Sequence, residues 1–307
     1  LRERLSEAVD IDDGVVADVW FQESANTDEF KSKFVRVKRP GFGYTYIGWN
    51  NAHPIFQDPE VRLALGMLIP RQKIIDDIHR GIHEPVDGPF FPRGPEYDRS
   101  VEGIEYDSRR AIRMLRRNGW LDKDGDGVIE KEIDGEIVPL QFEYLIHNAL
   151  DYHQKVADII KESIEEAGIQ MNIRKLEFAT YSEEVRNKNY EALRFAWTSQ
   201  INADPYPIWH SSQIKNNGDN FLSFSDERVD ELCEQVREEF DPIKRWEMLR
   251  EIHRIIHDKQ PMRFMFSISD LFFYSRDLHG VKIYPNYLIF DYNEVYWADP
   301  ERRKTGS

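Results

Sequence analysis

The sequence contains a single cysteine, Cys233, among its 307 residues. One thiol cannot close an internal disulfide, so a disulfide-stabilised mini-protein is excluded, while the redox compartment stays open. No run of apolar residues approaches the length of about 18 that a membrane-spanning helix needs. The chain also opens on charged residues rather than on a basic segment followed by an apolar one, so we expect no signal peptide here.

Basic residues are outnumbered, with 41 Lys and Arg against 56 Asp and Glu and a net charge of −15. This balance argues against a nucleic-acid binder or an anionic-membrane binder, which need Lys and Arg to displace counterions. With 40% hydrophobic and 13% aromatic residues, the chain is able to bury a real core. Its length fits one large domain or two modest ones.

Catalytic motifs are also missing. The sequence has no G-x-S-x-G elbow, no glycine-rich phosphate loop, no H-E-x-x-H and no CxxC. His253 and His257 have the i, i+4 spacing of a zinc site, but no Glu between them provides a base. We interpret them as ordinary helix histidines, and we do not expect an enzyme.

Periodicity predicts an α/β fold. A strand at 140–146, a helix at 151–167 and a strand at 169–176 form a βαβ unit, and 190–197 returns as another strand. Asp58-Pro59 predicts a helix over 59–69, and Ser108 is predicted to cap a helix that stops at Asn118. The sequence also predicts a capping box of Thr180 and Glu183, helices at 226–240 and 242–257, and strands at 264–268, 272–274 and 281–284.

The segment 122–133 partly matches a calcium loop, with acids or glycine at positions 1, 3, 5 and 6. Position 12, which requires a bidentate Glu, is Ile133. Asp134-Gly135 favours a β-hairpin turn over a second helix. One hypothesis is therefore a weak calcium site formed by Asp122, Asp124, Asp126 and either Glu130 or Glu132. The alternative is an Asp/Gly turn whose side chains satisfy their own backbone.

Aromatic residues followed by polar ones stand at the ends of predicted strands, which is where ligand crevices of open α/β sheets lie. Such a lining suits binding without chemistry. The candidates are Trp49, Asn50, Asn51, Trp197, Thr198, Ser199, Gln200 and Asn202.

The order of several motifs resembles the extracytoplasmic solute-binding proteins of ABC importers, family 5, of the oligopeptide, dipeptide and nickel-binding type. The resemblance covers about 34–297. It is carried by these segments: Tyr44 to Asn51, Phe56-Gln-Asp-Pro-Glu-Val-Arg-Leu-Ala-Leu65, Ile69-Pro-Arg-Gln-Lys-Ile74, Gly88-Pro89, Tyr106-Asp107 to Gly119-Trp120, Phe195-Ala-Trp197 to Asp204-Pro205, and Phe224-Ser-Asp226 to Leu232.

The resemblance implies an α/β clamshell of the periplasmic-binding-protein-like type II. This chain resembles its carboxyl-terminal part, which is mostly one mixed-sheet lobe with helices packed on it plus a fragment of the other lobe. Residues 1–46 are then a fragment of the first lobe, and 47–271 are the second, ligand-binding lobe. Residues 272–307 are return strands to the first lobe followed by a disordered tail. Because a lobe without its partner buries one face of a solute, we expect the chain alone to bind weakly.

The resemblance also implies a function: a peptide-like solute is captured between the lobes and delivered to an ABC permease in the membrane. The expected protein is a monomer, periplasmic or on the cell surface, with no cofactor and no nucleic-acid partner. One alternative is a ligand-sensing or interaction protein on the same fold. Another is a binder of a sugar or other polar non-peptide solute.

Two ligand-contacting stretches are implied, His147-Asn148 and Trp197 to Asp204. Peptide-binding members hold the ligand's α-amino group with an Asp, and the matching position here is Gln200. A neutral amide provides no charge-assisted bond, so free-amino peptides lose support relative to blocked peptides and sugars. Asp204 matches a second Asp, which usually caps the following turn.

Overall fold

The structure is a computed structural model that describes residues 11–12, 15–199, 202–215, 218–283 and 295–297. Within these residues no helix combines the length and the apolar character that crossing a bilayer requires. The predicted disordered tail at 299–307 lies outside the described residues.

Helices and strands alternate along the chain, as the periodicity predicts. The α-helices are α1 Ala17–Trp20, α2 Asp28–Lys33, α3 Pro59–Met67, α4 Arg71–Lys73, α5 Ser108–Arg117, α6 Tyr152–Glu165, α7 Phe178–Arg186, α8 Tyr206–Trp209, α9 Glu227–Glu238 and α10 Pro242–Lys259. The strands are β1 Ile11–Asp12, β2 Phe34–Trp49, β3 Glu84–Pro85, β4 Glu130–Ile133, β5 Glu136–Pro139, β6 Gln141–His147, β7 Gln170–Leu176, β8 Ala192–Thr198, β9 Met262–Ser275, β10 Leu278–His279 and β11 Tyr296–Trp297. Short 3₁₀ turns occur at Glu23–Ala25, Pro54–Phe56 and Ser211–Ile214, and a π-helical turn at Ile74–Ile78.

The chain divides into two compact units. The first comprises Leu1–Phe42, Ile82–Glu84 and Ser267–Ser307, and the second comprises Gly43–Gly81 and Pro85–Phe266. The lobe boundaries predicted from the family resemblance, between residues 46 and 47 and between residues 271 and 272, stay predictions.

In the first unit, β1 pairs antiparallel with the end of β9. Its small core is aromatic: the ring centroids of Phe30 and Phe273 lie 5.0 Å apart in an edge-on contact. The guanidinium of Arg39 lies 3.0 Å from the carboxylate of Asp270.

The second unit contains the βαβ motif predicted from the sequence: β6 and β7 pair in parallel along seven residues, from Gln141↔Gln170 to His147↔Leu176. β8 pairs antiparallel with β2 on its other side. Helices cover both faces, because side chains alternate along each strand. Phe142 and Tyr144 of β6 enter one core with α3, α5 and α6, while Leu145 enters another core with α9 and α10.

Two predicted helix caps are wrong. α5 is capped by Asp107, whose carboxylate accepts from the backbone N–H of Arg110 at 2.8 Å, so Ser108 is already helical. α7 is capped by Glu177, which accepts from Ala179 N at 2.9 Å. Thr180 therefore lies inside α7, because a carboxylate closer to the preceding strand satisfies the free N–H groups first.

The strands after α10 also differ from the prediction. The two strand candidates at 264–268 and 272–274 are parts of one long strand, β9, since no turn residue separates them. The third candidate does not form a strand at 281–283, and residue 284 lies outside the described residues. The hairpin expected around Asp134-Gly135 is confirmed, because β4 and β5 pair from Glu130↔Pro139 to Ile133↔Glu136.

Candidate functional site

The sheet of the second unit opens between β6 and β8. Among the described residues these parallel strands pair at two positions, Tyr144↔Ala192 and Leu145↔Leu193. β8 then continues to Thr198 with β2 on its other edge. The edge of residues 195–198 that faces β6 therefore has no strand partner among the described residues, which leaves backbone groups beyond Arg194 available for pairing with an added chain.

A cavity of about 280 Å³ lies at this opening. Its wall is largely aromatic, with one buried cation. The lining includes His147, Phe178, Tyr181, Arg194, Phe195 and Phe221. A concave aromatic surface with few polar groups is typical of a small-molecule site.

Arg194 is the buried cation of this cavity, and the exposed Arg186 also lines it. The residue is 9% exposed, and within the described part of the chain its guanidinium forms no hydrogen bond and no ion pair. The guanidinium carbon lies 5.7 Å from the ring centroid of Tyr152, and the hydroxyl of Tyr181 donates to the backbone oxygen of Arg194. A buried arginine without a carboxylate is uncommon, so this geometry fits a ligand that brings its own negative charge.

His147 lies at the end of β6, beside Arg194. Burial first, and then the positive charge of Arg194, lowers the pKa of this imidazole, which is therefore neutral at neutral pH. Its Nδ1 accepts from the backbone N–H of Ala149 at 3.3 Å, so the proton resides on Nε2. The ring contacts Phe178 and Tyr181 edge-on, with centroids 5.2 and 5.1 Å away. His147 thus offers the cavity a neutral N–H donor.

A second cavity of about 190 Å³ lies beyond the end of β8. Trp197, Ser199 and Asp204 of the predicted set line it, together with Phe90 and Trp209. The hydroxyl of Ser199 donates to the backbone oxygen of Pro89 at 3.0 Å, which attaches the loop after β8 to the loop that follows β3.

Asp204 has partners within the protein. Its Oδ1 accepts from the backbone N–H of Tyr206 at 3.1 Å, the capping contact that the resemblance implies. Arg237 donates to both carboxylate oxygens, with the shortest contact at 2.7 Å. Partial burial by itself raises the pKa of Asp204, but the bonds from Arg237 and Tyr206 lower it below its usual value. Its charge is therefore already paired.

Trp49 to Asn51 lie at the opposite end of the sheet from these cavities. β2 is antiparallel to β8, so Trp49 pairs with Ala192, at the start of β8. Trp49 is 1% exposed, and its ring contacts Phe56 and Phe142 in the core. The structure does not bring this group together with Trp197, because the rule that strand ends share an edge applies to parallel strands.

Asn50 and Asn51 connect loops by hydrogen bonds. The side-chain amide of Asn50 donates to Tyr190 O at 3.1 Å, and that of Asn51 donates to Leu222 O at 3.0 Å. The remaining four candidates fall into two groups. Asn148, Thr198 and Asn202 are exposed, and Gln200 lies outside the described residues.

The Asp/Gly loop places carboxylate oxygens of Asp122, Asp124 and Glu130 within 4.8 Å of one another. Asp126 is not in this group, and its Oδ1 accepts from the N–H of Val128 at 2.8 Å. Asp122 also accepts from backbone N–H groups within the loop. The sequence left two alternatives open, a set of oxygen ligands and a turn that satisfies its own backbone. The loop has both, so calcium binding stays a prediction.

Sequence reasoning did not find Arg194. The available signal was Arg194 itself, a charged residue inside the largely apolar strand Ala192–Thr198. A nearly continuous apolar strand is typical of burial on both faces, where a charged side chain has no solvated face to occupy. A cation at such a position requires an explanation.

A family model described as "Bacterial extracellular solute-binding proteins, family 5 Middle" matches residues 2–220. The chain belongs to this family. The family 5 resemblance read from the motif order is thereby confirmed.

Curated family 5 relatives include peptide-binding proteins. The chain is 26% identical over 258 residues to the oligopeptide-binding protein AppA of Bacillus subtilis, covering 83% of this chain and 46% of the relative. It is 26% identical over 251 residues to a dipeptide-binding protein of Pseudomonas aeruginosa, covering 80% of this chain and 44% of the relative. The chain thus spans less than half the length of these two relatives.

Solved structures show the same fold. The oligopeptide-binding protein AppA from Bacillus subtilis in complex with a nonapeptide superposes with a TM-score of 0.78 at 23% identity, over 97% of this chain and 58% of that one. HbpA2 from Haemophilus parasuis superposes with a TM-score of 0.80 at 18% identity, over 97% and 55%. The predicted α/β fold of periplasmic-binding-protein type II is confirmed.

Proposed function

We propose that the protein is the substrate-binding component of an ABC importer, which captures a peptide-like solute and delivers it to a membrane permease. Membership of family 5 supports this proposal, and so do the peptide-binding names of the relatives. Binding acts through the differential affinity of the solute for a closed state, without any bond being made or broken. Extracytoplasmic localisation follows from the same family.

One observation carries the peptide assignment: the unpartnered edge of β8 and the guanidinium of Arg194 border one cavity. An extended peptide that adds to a strand edge gains main-chain hydrogen bonds irrespective of its sequence. Arg194 supplies a planar fork for the terminal carboxylate of that peptide. His147 adds a neutral donor beside it.

The amino end of the solute is less constrained. Asp204 is paired with Arg237, so it is not offered to an ammonium group by this geometry. The alternatives are an amino-blocked peptide, or a sugar or other polar solute that uses the aromatic wall without the arginine. A sensing protein on the same fold would bind the same solutes but would not support uptake.

The test is isothermal titration of the purified full-length protein with three forms of one tripeptide: free, carboxyl-amidated and amino-acetylated. We expect the free and acetylated forms to bind and the amidated form to bind at least tenfold more weakly, because a charge-assisted bond is lost. Arg194→Gln is expected to weaken the free form by about 10- to 100-fold and to leave the amidated form nearly unchanged.

The matched control is Arg110→Gln, which removes the same charge from an exposed position on α5. It is expected to bind like the unaltered protein. Equal binding of amidated and free peptides would overturn the role of Arg194. Binding of oligosaccharides with no binding of any peptide would replace the peptide by a sugar, and peptide binding without peptide uptake in a deletion strain would favour the sensor.

A further inference from the structure

Helix α5 carries an arginine stripe, defined as Arg109, Arg110, Arg113, Arg116 and Arg117. All five side chains are exposed. With about 100° between successive residues, they occupy an arc of about 120° on one face of the helix. Ala111, Met114 and Leu115 lie on the opposite face and are buried, where α5 packs against α3. The stripe therefore faces away from the protein.

None of the five guanidinium groups forms an ion pair or a hydrogen bond with any described residue. Two other exposed arginines of the chain are paired. Arg228 binds Glu231 and Glu251, and Arg237 binds Asp204. Within a chain of net charge −15, the arginine stripe is a local concentration of unpaired positive charge.

The chemistry of the stripe distinguishes between possible partners. Arginine is enriched in protein interfaces, but there it accompanies aromatic and apolar anchors, whereas the stripe presents only guanidinium groups. Evenly spread arginines suit a surface of many equivalent phosphates, to which each one binds independently. The apolar face of α5 is already in the core, so the helix cannot insert its own side chains into a bilayer.

The negative total charge does not prevent such binding at short range. At physiological salt, charges further apart than about 8 Å are largely screened. A helix of ten residues is about 15 Å long, so acids more than a Debye length from the stripe contribute little to the field at its surface. We infer that the arginine stripe docks the protein on anionic phospholipid headgroups.

The inference is independent of the solute, because none of the five arginines lines either cavity. The association is electrostatic, reversible and sensitive to salt. Each arginine near an anionic membrane contributes a factor of about five to the binding constant. Loss of three arginines is thus expected to weaken binding about a hundredfold.

The test is co-sedimentation of the purified protein, without solute, with vesicles of phosphatidylcholine alone or mixed with phosphatidylglycerol. We expect binding to the mixed vesicles at low salt, none to phosphatidylcholine, and release at high salt. The triple variant Arg113→Gln, Arg116→Gln, Arg117→Gln should lose binding. Replacing the same three residues by Lys should retain it, because the charge is kept.

The control triple variant is Lys73→Gln, Lys155→Gln, Lys244→Gln. It removes the same total charge from three exposed lysines elsewhere in the second unit. Circular dichroism and melting temperature establish that each variant folds. Binding that is equally reduced by the control set would overturn the inference, and so would retained binding in the triple Arg→Gln variant. Failure of the unaltered protein to bind phosphatidylglycerol would also overturn it and leave an acidic protein surface as the partner.

Discussion

The guanidinium of Arg237, in the last turn of α9, lies 3.8 Å from the ring centroid of Tyr206, the first residue of α8. The same guanidinium binds Asp204 through both carboxylate oxygens. One side chain therefore fixes both the loop after β8 and the start of the helix that borders the second cavity. We expect the position of this loop to depend on Arg237.

Arg237→Met removes the ion pair and the stacking and leaves a side chain of similar length. Because Arg237 and Asp204 are partly exposed, the expected loss is only about 1 kcal/mol of unfolding free energy. The unfolding free energy of Arg237→Lys should lie between those of the unaltered protein and Arg237→Met, since lysine keeps the charge but not the planar fork. Urea unfolding measures the difference.

This loss should depend on pH. The pKa of Asp204 is lowered in the folded protein, so the carboxylate contributes stability above its unfolded pKa of about 3.9. That contribution disappears as pH falls through the folded pKa. The two proteins should therefore differ at pH 7 and converge below about pH 4. A difference that is constant across this range would show that Asp204 is not the partner that matters.

Gly88→Ala should destabilise the protein strongly. A Cβ at this glycine would lie 1.9 Å from Nε2 of His253. The ring cannot move without loss, because its Nδ1 accepts from Asp98 N at 3.0 Å and its Nε2 donates to Asp87 O at 3.1 Å. We expect a loss of about 3 kcal/mol of unfolding free energy, as for other overpacked cores.

The matched control is Gly66→Ala in α3. A Cβ there would meet Arg263 Cδ at 3.4 Å, an ordinary contact, and alanine favours the helix. Its effect should be neutral or slightly stabilising. If both alanine variants lose the same stability, the close approach of His253 is not the cause.

His253 should make stability depend on pH between about 6.5 and 4. Burial lowers its pKa to about 4, while the charges of Asp98 and Asp87 raise it and that of His257 lowers it. The unfolded state takes up a proton near pH 6.5 and the folded state does not, so unfolding free energy falls as pH decreases through this window.

The variant His253→Gln tests this dependence. It should be less stable at pH 7, because the two hydrogen bonds of the ring are disturbed, but its stability should decline less between pH 7 and pH 5. Urea titrations at several pH values provide the slope. His153, whose pKa burial also lowers to about 4, contributes a remaining slope in both proteins. Parallel pH profiles would contradict the assignment to His253.

The Asp/Gly loop is expected to bind calcium weakly through Asp122, Asp124 and Glu130. Calcium should then raise the melting temperature relative to a chelator, since it binds only the folded loop. Asp122→Asn should abolish the increase. Glu132→Gln is the control, because Glu132 lies outside the oxygen cluster. If calcium leaves the melting temperature of the unaltered protein unchanged, the loop does not bind calcium.

Much of the fold was predictable because its signals are local. The βαβ unit from β6 to β7 follows from apolar alternation, a helical period and Gly168, whose φ of +77° suits the residue after a helix. The order of motifs identified the family for the same reason. Helix caps were less certain, since Asp107 and Ser108 both suit a cap and only the hydrogen bond to Arg110 N decides between them.

The site was harder to predict because it depends on pairing between distant strands. That Trp49 and Trp197 lie at opposite ends of the sheet follows from the antiparallel register of β2, which no local pattern contains. The exposure of Arg194 to a cavity depends on the divergence of β6 and β8. The arginine stripe was likewise not predicted from the net charge, since a sum of −15 does not say where on the surface the positive residues lie.

The opening between β6 and β8 has a further consequence for the behaviour of the protein in solution. An unpaired strand edge is a template for any extended chain, including a neighbouring copy, and such edges promote aggregation. Two features oppose this here: the edge of residues 195–198 is short, and the net charge of −15 repels other copies. The same backbone amides should exchange hydrogen with solvent rapidly, and we expect a strand added at this edge, such as the peptide of the proposed function, to slow the exchange and to block self-association.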